Sequence, residues 1–155
     1  LDAHMIHDAL HNLDLSEYDI VFIENVGNLV CPASFDLGQH VNVALLSVPE
    51  GDDKPAKYPV MFRTADLVMI SKCDLLPILD DFDPERAKKY LRDIASDAPV
   101  IALSSKNLAG MNNWIEWITQ QIEQRIAYLE ANPVQQGHHH HHHAEHDHQD
   151  DNVVV

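Results

Sequence analysis

Four short runs of apolar residues, each ending in a polar cluster, constrain this chain more than any other feature. They lie at residues 20–23, 43–48, 67–70 and 100–103. Continuous rather than alternating hydrophobicity predicts strands covered on both faces, as in a parallel sheet. The first strand is expected at 19–23. Between the runs lie stretches of helical spacing. Leu1, Met5, Ala9 and Leu13 recur about a turn apart, and 54–62 reads as a short helix interrupted by proline. Over 84–95, Asp83 suits an N-cap, Pro84 the first turn, and Ala87, Leu91, Ile94 and Ala95 one apolar face. A long helix is expected at 111–130 behind Gly110, with a buried stripe of Trp114, Ile115, Trp117, Ile118, Ile122, Ile126 and Leu129. The alternation predicts an α/β domain over residues 1–132, with a mostly parallel sheet and helices on both faces. Residues 133–155 are expected to be a disordered, His-rich tail.

Charge narrows the function. The chain carries −15 with histidines neutral. Four acids and no Lys or Arg lie from His138 onward, so residues 1–137 carry −11. An acidic chain lacks the basic face that nucleic-acid binding needs. It suits a soluble cytoplasmic protein with a mild preference for cations. No apolar run approaches the roughly 20 residues of a membrane span. Cys31 and Cys73 are far apart with no C-x-x-C spacing, which favours reduced thiols over a disulfide framework.

Ligands of parallel α/β sheets bind beyond the carboxyl ends of the strands. Three motifs fall at such ends. Glu24 leaves the first strand, with Gly27 three residues on. An acid there can sit near a Mg²⁺ shell, and the Gly lets backbone approach a γ-phosphate. These two are the catalytic candidates. Ser71-Lys72-Cys73-Asp74 leaves the third run, where guanine-specific NTPases carry Asn-Lys-x-Asp. Asp74 can accept from the guanine ring N–H and exocyclic amine, and the Lys72 stem can pack on the purine. Ser71 stands where Asn is usual. Ser104-Ser105-Lys106 leaves the fourth run, where a similar turn supports the base edge through backbone N–H groups. Lys72, Asp74, Ser105 and Lys106 are therefore the nucleotide-binding candidates.

At this point the residues resemble the hydrogenase nickel-incorporation GTPases of the HypB type. The matching segments are Leu1-Asp2-Ala3-His4, Glu24-Asn25-Val26-Gly27-Asn28-Leu29-Val30-Cys31-Pro32, residues 46–55 and Lys72-Cys73-Asp74-Leu75-Leu76-Pro77. The resemblance implies a P-loop GTPase fold of the dimerising metallochaperone class. It implies GTP with Mg²⁺ as cofactor, a homodimer, and delivery of Ni²⁺ to the large-subunit precursor of [NiFe] hydrogenase with a partner nickel maturation protein. It also implies metal ligation, of Ni²⁺ or Zn²⁺, by His4 and Cys31. The family's Walker A loop, G-x-x-x-x-G-K-[ST], does not occur in the 155 residues, nor does the Cys-His pair that precedes Leu-Asp-Ala in the family. The chain therefore reads as the N-terminally truncated, C-terminal part of such a protein, inactive alone as a GTPase. A urease-accessory GTPase and a non-enzymatic Ni²⁺/Zn²⁺ storage module acting through its tail are the alternatives.

Several features stay open in the sequence. His7 and His11 continue the spacing of His4 and read either as surface residues or as a metal-binding face. The run 138–143, with His146 and His148 behind it, reads either as a native metal-buffering tail or as a purification tag. Cys73 reads as a small filler residue. Asp80, Asp81 and Asp83 read as a solvated loop with a cap. Asp52-Asp53-Lys54 reads as a switch-like loop facing a partner protomer or as a plain loop.

Overall fold

The computed structural model describes residues 3–25 and 38–133. Helix α1, Ala3–His11, leads into a turn at Leu15–Glu17 that Asp14 caps by accepting from the Ser16 N–H. The remaining elements alternate: β1 Val43–Ser47, α2 Lys54–Lys57, α3 Pro59–Arg63, β2 Leu67–Ser71, α4 Pro84–Asp93, β3 Val100–Ala102 and α5 Met111–Ala131. The three strands pair in parallel in the order β1-β2-β3. Val43 sits opposite Leu67, and Val68 opposite Val100.

β2 is central, and Leu67, Val68, Met69 and Ile70 are all buried, as its unbroken apolar run predicts. On one face Ala44, Leu46, Val68 and Ile70 pack with Phe62 of α3 and with Ala87 and Leu91 of α4. On the other, Leu67, Met69 and Leu103 pack with Trp114 and Trp117 of α5, whose rings stack 5.7 Å apart. Helices thus cover both faces, as expected. Fully burying side chains of this size contributes about 1.5–3 kcal/mol each, which makes the two-sided cover of β2 the main reason the sheet holds.

Helix α4 follows its capping signals but ends at Asp93, short of the expected 84–95, so Ala95 is exposed rather than on the apolar face. Asp83 accepts from the Glu85 N–H at 2.9 Å, and Pro84 opens the first turn. It ends where Ala95 turns left-handed (φ 59°), with Ser96 N–H bonded to Leu91 C=O and Ala95 N–H to Arg92 C=O. That bond pair is a Schellman closure. The Arg92 guanidinium closes it further through the carbonyls of Ser96 and Ala98. The expected proline-interrupted helix is two short helices, α2 and α3, that meet at Tyr58.

Three expectations need correction. Residues 20–25 belong to no strand, and Phe22 is 64% exposed. An apolar run predicts burial, but a strand also needs a hydrogen-bonded neighbour. Among the described residues β1 pairs only with β2. The stripe on α5 is not uniformly buried: Ile118 is, whereas Ile115 and Ile126 are each 52% exposed. Finally, Asp52 does not belong to a plain solvated loop. Asp52 is buried, accepts from the Asp83 N–H at 2.8 Å, and pairs with Arg86 at 2.6 Å. It fixes the start of α4 to the end of β1. The tail at 134–155 lies outside the described residues. No helix among the described residues is long and apolar enough to cross a membrane.

Candidate functional site

Two turns meet at the carboxyl end of the sheet. The pairing of β2 with β3 continues past both strands, with Leu103 N–H bonded to Ile70 C=O at 2.8 Å and Cys73 N–H to Leu103 C=O at 3.1 Å. This register puts Ser104 beside Asp74. Ser104 is fully buried, and its hydroxyl donates to Asp74 Oδ1 at 2.6 Å. Ser104 Oγ also accepts from the Lys106 N–H at 3.2 Å and from the Asn107 N–H at 3.5 Å. One hydroxyl therefore ties the carboxylate to the following turn. Asp74 Oδ2 lies 4.0 Å from Lys106 Nζ, which is largely in solvent.

Both turns are strained. Lys72 (φ 60°) and Leu108 (φ 61°) hold left-handed backbone without being glycine, a conformation that costs about 1–3 kcal/mol and clusters at functional sites. Gly110 (φ 73°) closes the second turn; a Cβ there would lie 2.0 Å from the carbonyl oxygen of Ala102. Ser104 N–H bonds Ala109 C=O, and Asn107 Oδ1 accepts from Ala109 N–H. The result is a rigid platform that presents one braced carboxylate and two lysines.

Of the candidates from sequence, Lys72, Asp74 and Lys106 come together on these turns. Ser105 is adjacent but exposed. The serine that braces the carboxylate is Ser104, which the motif reading passed over. Two serines adjoin, and only the register against β2 shows which one faces Asp74. Cys73 is a free, half-buried thiol inside the first turn. His4 and Glu24 are both exposed, the first on α1 and the second in the extended stretch 20–25. Gly27 and Cys31 lie outside the described residues. Among the described residues, no three His, Cys, Asp or Glu side chains converge as a metal site. A separate apolar groove of about 530 Å³ runs between Leu15, Tyr18 and Val21 and the α5 residues Ile122, Ile126 and Leu129. It does not include the Asp74 platform.

With this geometry in hand, the chain can be set beside known proteins. It is 53% identical over 126 residues to the hydrogenase maturation factor HypB of Azotobacter vinelandii, covering 81% of this chain and 41% of that protein. It is 45% identical over 123 residues to the hydrogenase/urease maturation factor HypB of Helicobacter hepaticus, covering 75% and 50% respectively. The chain thus spans half or less of these relatives. Among solved structures, that of HypB from Helicobacter pylori in complex with nickel superposes with a TM-score of 0.75 at 39% identity, covering 81% of this chain and 60% of that one. Residues 2–102 match the family described as CobW/HypB/UreG, nucleotide-binding domain, and the chain belongs to that family.

Proposed function

We propose that this chain is the guanine-reading part of a GTP-hydrolysing nickel metallochaperone that helps insert Ni²⁺ into the [NiFe] hydrogenase precursor. The observation that carries the reading is the bond from buried Ser104 to Asp74. A carboxylate held by one oxygen at the sheet's carboxyl end can offer the other to a pair of adjacent N–H donors. Guanine carries that pair and adenine does not. Lys72 would cover the purine face, with Ser105 and Lys106 at the base edge. The relatives named as hydrogenase maturation factors and the nickel complex of a structural neighbour support the biological setting. The hydrogenase/urease name of the Helicobacter hepaticus protein supports a wider role in nickel enzymes.

In this reading Glu24 and Gly27 lie toward Mg²⁺ and the γ-phosphate. His4 and Cys31 carry Ni²⁺ or Zn²⁺ at the interface of a cytoplasmic homodimer, which passes nickel to the hydrogenase precursor with a partner maturation protein. The 155 residues contain no G-x-x-x-x-G-K-[ST] cradle. Base reading is therefore the part of the chemistry that these residues fit. Titration with GTP and Mg²⁺ is expected to give an affinity weaker than micromolar. At millimolar nucleotide, GDP is expected to shift the backbone amide resonances of 72–74 and 104–107, and ADP is not. Asp74→Asn is expected to abolish the GDP response. An equal response to both nucleotides would overturn the reading.

A further inference from the structure

The chain holds a pair of imidazoles that neither the base platform nor the His4–Cys31 reading uses. His7 and His11 stand one turn apart on α1, and both are exposed. Their Nε2 atoms are 2.9 Å apart, and the rings are nearly perpendicular, at 89° with centroids 4.1 Å apart. The two Nε2 atoms therefore face each other beside the helix.

The spacing has a coordination meaning. Imidazole–metal bonds are about 2.0–2.1 Å long. Two such ligands at a right angle put their nitrogens about 2.9 Å apart, whereas tetrahedral ligands put them about 3.3–3.4 Å apart. The 2.9 Å separation is that of an N–H···N hydrogen bond, and it lies within about 0.5 Å of both ligand spacings. Divalent ions that take imidazole ligands, Ni²⁺, Cu²⁺ and Zn²⁺ among them, suit such a pair.

The tautomers fit as well. The contact needs one ring to donate through Nε2–H and the other to accept. When a cation binds, the donating ring moves its proton to Nδ1, so both Nε2 lone pairs face the metal and no proton is released. We propose that His7 and His11 form a two-imidazole surface site for a divalent transition-metal cation, its remaining positions filled by water. The acidic charge of the chain favours cation approach. The site is independent of nucleotide and of Cys31, so its fate does not decide the reading above.

The test uses the full 155-residue chain with aqueous Ni²⁺ as probe. Imidazole resonances are followed individually, so uptake by the histidines after 137 is seen separately. His7 and His11 are expected to broaden together. His11→Gln is expected to raise the Ni²⁺ concentration needed to broaden His7 by about tenfold, because the second ligand then no longer acts at high effective concentration. Ala9→Gln, at an exposed position of the same helix with no metal ligand assigned to it, is expected to leave it unchanged. Gln is a good helix former, and far-UV circular dichroism checks that α1 persists in both variants. Broadening of His7 at the same Ni²⁺ concentration with and without His11 would overturn the proposal, as would no response of either ring up to millimolar Ni²⁺.

Discussion

Ser104 and Asp74, thirty residues apart in sequence, are joined by a hydrogen bond of 2.6 Å at the carboxyl end of the sheet. A buried hydroxyl with three polar neighbours, it links the turn after β2 to the turn after β3. Local sequence sets neither contact; the parallel register does. The bond immobilises a carboxylate that would otherwise sample several rotamers before meeting a ligand, and preorganisation of that kind improves binding without adding a contact.

Ser104→Ala should therefore act on stability as well as on the site. It removes the donor to Asp74 and the acceptor for the Lys106 N–H. Loss of a buried partner costs about 1–3 kcal/mol. Ser105→Ala, at an exposed position, should stay within about 0.5 kcal/mol. Urea unfolding of the two variants gives the comparison, and an equal cost for both would refute the assignment.

Gly110 is the second fixed point of the same platform. Gly110→Ala asks for a left-handed Ala and places its Cβ 2.0 Å from the Ala102 carbonyl oxygen. Backbone must move, because no flexible side chain is there to yield. A loss of more than about 1 kcal/mol is expected, with changed amide shifts at Ser104 and Asn107. An unchanged unfolding midpoint would show that the turn is looser than its geometry indicates.

Ala95 points the opposite way. It holds the left-handed position of the α4 closure at φ 59° without being glycine, and its side chain is exposed. Ala95→Gly gives up almost no burial and relieves a strain of about 1–2 kcal/mol. The lost entropy of Gly offsets part of this, which leaves an expected gain of about 0.5–1 kcal/mol. Thermal unfolding should show a raised midpoint, and a lowered one would sink the argument.

What the sequence disclosed and what it hid divide along one line. Asp83 with Pro84, and the unbroken run 67–70, were legible because caps and two-sided burial act within a few residues. The stretch 20–23 was misread because pairing is non-local and composition cannot supply a neighbour. The stripe on α5 was over-read for a geometric reason: 21 residues of helix rise about 31 Å, whereas a five-residue strand spans about 17 Å, so the sheet meets only part of the helix, at Trp114 and Trp117. Ser104 and Ser105 could not be told apart until register decided which one turned inward. Asp52 and Asp53 posed the same problem, because nothing local distinguishes a buried anchor from its solvated neighbour. The Lys72–Asp74 turn stood out as a motif after the run 67–70, and the structure sets its carboxylate against Ser104.

Asp52 and Asp53 now separate by experiment. The Asp52 side chain is 5% exposed and is held by Asp83 N–H and by Arg86, and Asp52 raises the guanidinium pKa of Arg86 through their hydrogen bond. Asp52→Ala leaves the start of α4 without its acceptor and should cost about 1–3 kcal/mol. Asp53→Ala, at a solvated position, should leave the urea midpoint almost unchanged. Equal midpoints for the two variants would restore the plain-loop reading of this segment.

Asp53 instead responds to pH. The hydrogen bond from Lys57, at 2.7 Å, holds its carboxyl below the usual value of 3.8 and holds the Lys57 ammonium above 10.5. A depressed carboxyl contributes stability that is present above about pH 3.8 and is lost as pH falls through the folded-state value. The raised ammonium contributes stability that is present below about pH 10.5 and is lost as pH rises through its own folded-state value. Both groups are exposed, so salt should weaken both shifts. Carbon NMR titration of the Asp53 carboxyl should give a midpoint below 3.8 in the wild-type chain, returning to about that value in Lys57→Gln. A midpoint indifferent to the Lys57 substitution would show that the ion pair does not persist in solution.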